Sequence, residues 1–137
     1  MLEHIYNKSK LQNREDLLND TIQYYSVNPN ERRSVSDKDR YTCFYSQKNS
    51  KKPHSNGCAI GRYHSEEWKL KADDLQNAHE PFQKIIEDST LNNFNTDFLE
   101  AIQQLHDENV NWNSTGLSPI GFKFVDAIIE RFIPIKV

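Results

Sequence analysis

Two short stretches decide how this chain is read: Tyr41-Thr42-Cys43-Phe44-Tyr45 and Gly57-Cys58-Ala59-Ile60-Gly61-Arg62. The first alternates in the strand manner, with Tyr41, Cys43 and Tyr45 facing one way and Thr42 and Phe44 the other. The second is short, rich in small residues and follows the turn signal Asn56-Gly57. Between them, residues 47 to 56 are polar and contain Pro53. The pattern predicts two antiparallel strands, with Cys43 and Cys58 opposite each other or nearly so, reduced and at least partly buried. No other segment carries a convincing strand pattern, so the rest of the chain sets the remainder of the fold.

Outward from this hairpin the periodicity is helical. Asn13 suits the cap of a helix from about Arg14 to Ser26, with Asp16 at its positive end and Leu11, Leu18, Ile22 and Tyr25 on one face. Asn28-Pro29-Asn30 stops it, and Glu31 to Arg40 reads as a charged loop. Ser65 opens a second helix with Trp68, Ala72 and Leu75 on one face. Pro81 opens a short one with Phe82, Ile85 and Ile86. Asn95 or Thr96 caps a third long helix to about Glu108, packed through Phe98, Leu99, Ile102 and Leu105. Ser118-Pro119 is an N-cap followed by an N1 proline. The last helix is expected to bury Phe122, Val125, Ile129 and Phe132 and to end before Pro134. Four or five helices with one short hairpin make an α+β, mostly helical fold, expected as one domain over residues 1–137.

The composition suits a globular chain. Of 137 residues, 36% are hydrophobic, 27% charged and 11% aromatic, enough large side chains for a core. No window reaches the ~18 apolar residues of a membrane span, and the N-terminal residues have no apolar leader core. With only two cysteines, a cytoplasmic protein with reduced thiols is expected. The net charge of −3 is uneven: residues 31–71 carry ten Lys/Arg and five Asp/Glu, and the remainder seven and fifteen. A basic patch on an acidic chain favours a small anionic, nucleotide-like ligand or an acidic protein surface over DNA or RNA.

Several constellations could carry chemistry. Cys58, His106 and Asp107 supply the thiol, imidazole and carboxylate of a cysteine nucleophile, with Arg62 to lower the thiol pKa or hold an anion. The bland alternative is a buried structural cysteine, with His106 anchored at a helix end near Trp112 and Asp107 holding the following loop through backbone N–H groups. Cys43, His54, Cys58 and His64 are chemically suitable zinc ligands, but their spacing is not that of a zinc knuckle, and no metal or cofactor is expected. Lys48, Lys51, Lys52 and His54 make a basic turn that, with Arg62 projecting into a concave surface, would cradle a phosphate. No glycine-rich phosphate loop accompanies them. Trp112 and Tyr45 add aromatic surface for a ring, or else plug the core.

With these residues in view, the chain resembles a family of small phage and prophage proteins that has no assigned activity. The resemblance rests on Asn28-Pro29 with Arg32-Arg33-Ser34, on Cys43 with Tyr45, on Cys58-Ala59-Ile60-Gly61-Arg62, and on Leu105-His106-Asp107, Trp112 and Gly116-Leu117-Ser118, and spans roughly residues 20 to 130. It implies an intracellular accessory protein encoded near genes of host takeover or counter-defence. The lysine-rich turn is longer and more basic here than in that pattern. The expected function is therefore a non-enzymatic accessory binding protein that sequesters a small anionic ligand or blocks a host protein. The alternatives are a thiol-dependent hydrolase or transferase using Cys58 and His106, and a structural interaction module without a ligand.

Overall fold

A computed structural model describes residues 13–33, 45 and 58–133. Its helices begin where the sequence supplies caps. Asn13 accepts the Asp16 N–H at 2.9 Å and opens α1 (Arg14–Ser26), with Glu15 and Asp16 at its positive end. Pro29 sits at the start of α2 (Pro29–Arg32), a single turn. Ser65 accepts the Trp68 N–H and opens α3 (Glu66–Asn77). Pro81 precedes the short α4 (Phe82–Ile86). Asn95 accepts the Phe98 N–H at 3.1 Å and opens α5 (Thr96–Asp107). Ser118 accepts the Gly121 N–H at 3.0 Å and opens α6 (Pro119–Phe132).

The core collects around α5. This helix buries Phe98, Leu99, Ile102, Leu105 and His106 and packs against α1, α4 and α6. From α1 come Leu17, Leu18 and Tyr25, and from α6 Val125, Ile128 and Phe132. Arg14 ties the two ends of the fold together: its Nη1 donates to the Phe132 carbonyl at 2.9 Å, a cation on orphan carbonyl charge at the end of a helix.

The fold is α+β and mostly helical, with one antiparallel hairpin among the described residues, but the hairpin is not where the sequence pattern put it. It is formed by β1 (Trp112–Asn113) and β2 (Gly116–Leu117), with Trp112 opposite Leu117 and Asn113 opposite Gly116. Asn113 builds the turn, its Oδ1 accepting from the N–H and the hydroxyl of Thr115, each at 2.9 Å. Each strand is two residues long, too short for alternation to register. Residues 41–44 of the expected first strand lie outside the described residues. The expected second strand is corrected: Cys58 to Ile60 form a turn, followed by a 3-10 turn over Gly61–Tyr63. The Ile60 N–H is taken by the Gln103 side chain at 3.1 Å, and Arg62 N–H closes back on the Cys58 carbonyl at 2.8 Å. A strand partner would find both of these backbone groups already taken.

The last helix is also turned from its expected face. Gly121, Val125, Ile128 and Phe132 are buried, whereas Phe122 and Ile129 are 60% and 38% exposed. Gly121 sets this rotation. A Cβ there would stand 2.1 Å from the Asn111 carbonyl oxygen, so α6 lies on the 3-10 turn Asn109–Asn111 along its glycine side.

Candidate functional site

The segment expected to carry the chemistry is folded into the interior. Cys58, Ala59 and Ile60 are all 0% exposed, and the Cys58 thiol is free. Gly61 continues the tight packing, since a Cβ there would lie 2.7 Å from the Tyr45 carbonyl oxygen. The small residues thus serve close approach of chain to chain. Cys43, the other half of the expected cysteine pair, lies outside the described residues, as do Leu11, His54 and the basic-turn residues Lys48, Lys51 and Lys52.

Arg62 does not project into a concave surface; only 3% of it is exposed. Its Nη2 donates to Asp20 Oδ2 and to the Tyr63 hydroxyl, both at 2.5 Å, and the Tyr63 hydroxyl donates to Asp20 at 2.6 Å. Its guanidinium lies over the rings of Tyr24 and Tyr63, at 4.4 Å from each centroid. Arg32 takes a similar place over Tyr24, also at 4.4 Å, so that ring contacts two cations. Burial by itself pulls the Arg62 guanidinium down, but Tyr63, Tyr25 and Asp20 overcome it and hold the group above its ordinary value. Burial likewise pushes the Tyr63 phenol up.

His106 packs at the C-terminal end of α5. It is 0% exposed, its ring meets Tyr25 edge-on at 4.8 Å, and its Nδ1–H donates to Asp107 Oδ1 at 2.8 Å. Trp112 also meets Tyr25, at 6.0 Å, and its indole N–H donates to the Leu105 carbonyl at 2.8 Å. Asp107 has a different task from the expected one. Its carboxylate accepts from His106 and from Gln103 Nε2 at 3.1 Å, while the loop after α5 is held by Asn111 Nδ2 and Trp112 Nε1 on the same Leu105 carbonyl. Asp107 is thus held by His106, one residue away, and Gln103, four residues away.

His64 is occupied on both nitrogens. Nδ1–H donates to the Ile60 carbonyl at 2.8 Å, and Nε2 faces the Ser89 hydroxyl at 2.6 Å and the Thr90 N–H at 3.3 Å. A backbone N–H can only donate, so Nε2 is the acceptor and the ring is the Nδ1–H tautomer. It stacks on Trp68 at 3.8 Å, and Trp68 meets Tyr45 edge-on at 5.7 Å. Among the described residues no group of three or more His, Cys, Asp or Glu is placed to hold a metal ion.

The surface that is open lies one layer further out. A groove of about 400 Å³ runs between the C-terminal end of α3, α4 and the polar side of α5, within the range of small-ligand sites. Glu80, Glu100 and Asp107 give it three carboxylates, and Gln76, Gln103 and Gln104 line it with amides. Tyr45, Phe82 and Ile85 supply apolar wall. Glu80 reaches Lys84 at 3.7 Å, and no Lys or Arg is among the described lining residues. Asp107 is the best-fixed carboxylate, with His106 and Gln103 both holding its Oδ1. Of the residues singled out from sequence, Tyr45 and Asp107 meet in this groove, and Cys58, Arg62, His106 and Trp112 do not line it. Glu100, Gln103, Gln104 and Asp107 follow the i, i+3, i+4, i+7 spacing of one helix face, a signal present in the sequence. By itself such a stripe reads as a solvated face, and only the approach of α3 and α4 makes it a wall.

No protein-family model matches the chain, and no curated protein or solved structure matches it. Among the described residues no helix is long and apolar enough to cross a membrane.

Proposed function

We propose that the protein is a non-enzymatic accessory binding protein of the phage or prophage type, and that its groove receives a positively charged side chain of a host protein that it blocks. The observation that carries this reading is the meeting of Glu80, Glu100 and Asp107 around one groove with apolar walls. A guanidinium or ammonium group bonds to carboxylates, while its aliphatic stem covers Phe82 and Ile85. The burial of both Cys58 and His106 at 0% exposure supports binding over thiol chemistry, because a nucleophile and its base must meet the substrate. The binding of an anion loses Arg62 to Asp20, and its remaining groups, Lys48, Lys51 and Lys52, lie outside the described residues.

Nuclear magnetic resonance titration with N-acetyl-arginine amide and with ADP tests the reading. Arginine amide is expected to shift the signals of Glu100, Gln104 and Asp107, and Glu100→Gln with Asp107→Asn should abolish the shifts. Perturbation by ADP alone, or arginine-induced shifts away from the groove, would overturn it. Rapid alkylation of native Cys58 by iodoacetamide, lost in His106→Ala, would favour the thiol enzyme instead.

A further inference from the structure

The last helix leaves most of its circumference open. Its buried side is Gly121, Val125, Ile128 and Phe132. Ile120, Phe122 and Ile129 are 56%, 60% and 38% exposed, three of the five large apolar side chains that stand exposed among the described residues. Between Phe122 and Ile120 around the helix lie Lys123, Asp126, Ala127 and Glu130, all exposed. Scattered exposed apolar residues need no explanation, but three on one helix beside a strip of ordered charge do.

We propose that this face pairs two copies of the chain, their α6 helices lying antiparallel across a two-fold axis. The order of residues along the helix selects this partner. In an isologous contact, if one residue touches a second on the other copy, that second touches the first in return. Antiparallel pairing therefore matches positions equally far from the two-fold axis on opposite sides. Phe122 and Ile129 lie symmetrically about one point of the helix, and Lys123 and Glu130 about a point one residue further on. These centres are about 1.5 Å apart along the helix axis, so one register gives two Phe122–Ile129 contacts and two Lys123–Glu130 ion pairs. Ala127 lies beside the axis, where a small side chain allows close approach. A parallel pairing would set Lys123 against Lys123 and Glu130 against Glu130, and like charges repel. Asp126 falls nearest the two-fold axis and faces its own copy, with Lys123 one turn away on its own helix.

Sedimentation velocity of the full chain over a concentration series tests the pairing. A monomer–dimer equilibrium is expected, weakening as salt rises. Lys123→Glu and Glu130→Lys, singly, should each weaken it roughly tenfold or more, because two attractions become two repulsions. The double variant should recover most of the lost affinity, which a merely structural role for either residue does not explain. Asp126→Asn should tighten the dimer, and Phe122→Ser should weaken it. All these positions are exposed, and far-ultraviolet circular dichroism checks that each variant is folded. A chain that stays monomeric to about 1 mM, or a dimer indifferent to Lys123→Glu and Phe122→Ser, would overturn the proposal.

Discussion

Arg33 closes the end of α5 from 73 residues away: its Nε donates to the His106 carbonyl at 2.6 Å and its Nη2 to the Asp107 carbonyl at 2.9 Å. Two orphan carbonyls at the negative end of the helix thus meet a planar cation in a forked geometry. Arg33→Met should lower stability by about 2 kcal/mol, read as a shift in urea midpoint. Arg33→Lys should recover only part of it, because one ammonium cannot replace the fork. Full recovery by lysine would show that charge alone matters there.

Arg62 is a structural residue with the chemistry of a binding one. Removing it leaves Asp20 and the Tyr63 hydroxyl without their common cation. Arg62→Ala should destabilise the protein by about 3 kcal/mol, whereas an exposed arginine would cost little. Calorimetry gives the number directly. A melting temperature within a degree or two of the parent would return Arg62 to the surface role expected from sequence.

Lys69 is 3% exposed, and burial holds its ammonium below its ordinary value, opposed in part by Glu66 and Cys58. The unfolded chain therefore binds more protons than the folded one between the depressed value and 10.5, the ordinary one. Stability from this site rises with pH across that window and is lost as pH falls through it. Tyr63 acts in the opposite sense: its raised phenol keeps its proton in the fold, so its contribution is lost as pH rises through the ordinary tyrosine range. Urea midpoints from neutral pH up to about 9.5, below the range where tyrosine ionises, separate the two. Lys69→Met should flatten the rise with pH. An unchanged slope would rule out Lys69 as its source.

His79 ends α3 in the left-handed region, with φ at 59°. Its N–H bonds the Gln76 carbonyl and the Glu80 N–H the Leu75 carbonyl, each at 3.0 Å, the closure that glycine usually makes at a helix end. His79→Gly should stabilise the fold by about 0.5–1 kcal/mol, visible as a higher melting temperature. A lower one would mean that the imidazole makes a contact within the fold worth more than the relief of backbone strain.

The sequence alone placed α1 and α3 to α6, because their signals are local, but it read the single turn of α2, Pro29–Arg32, as a stop followed by a charged loop. Asn13, Ser65, Asn95 and Ser118 each cap an N–H three residues on, within reach of the same turn. The apolar spacing of Phe98, Leu99, Ile102 and Leu105 repeats with the helix itself. What it could not place depends on partners far along the chain. Ile60 leaves the strand pattern because Gln103, 43 residues away, takes its N–H. Arg62 goes inside because Asp20, 42 residues earlier, is there to pair with it. Phe122 and Ile129 face out because the Asn111 carbonyl lies against Gly121 and rotates α6 to suit. Caps and periodicity measure distances of one turn, whereas the Arg62–Asp20 ion pair and the groove walls exist only once distant elements meet, and tertiary packing alone decides which of them do.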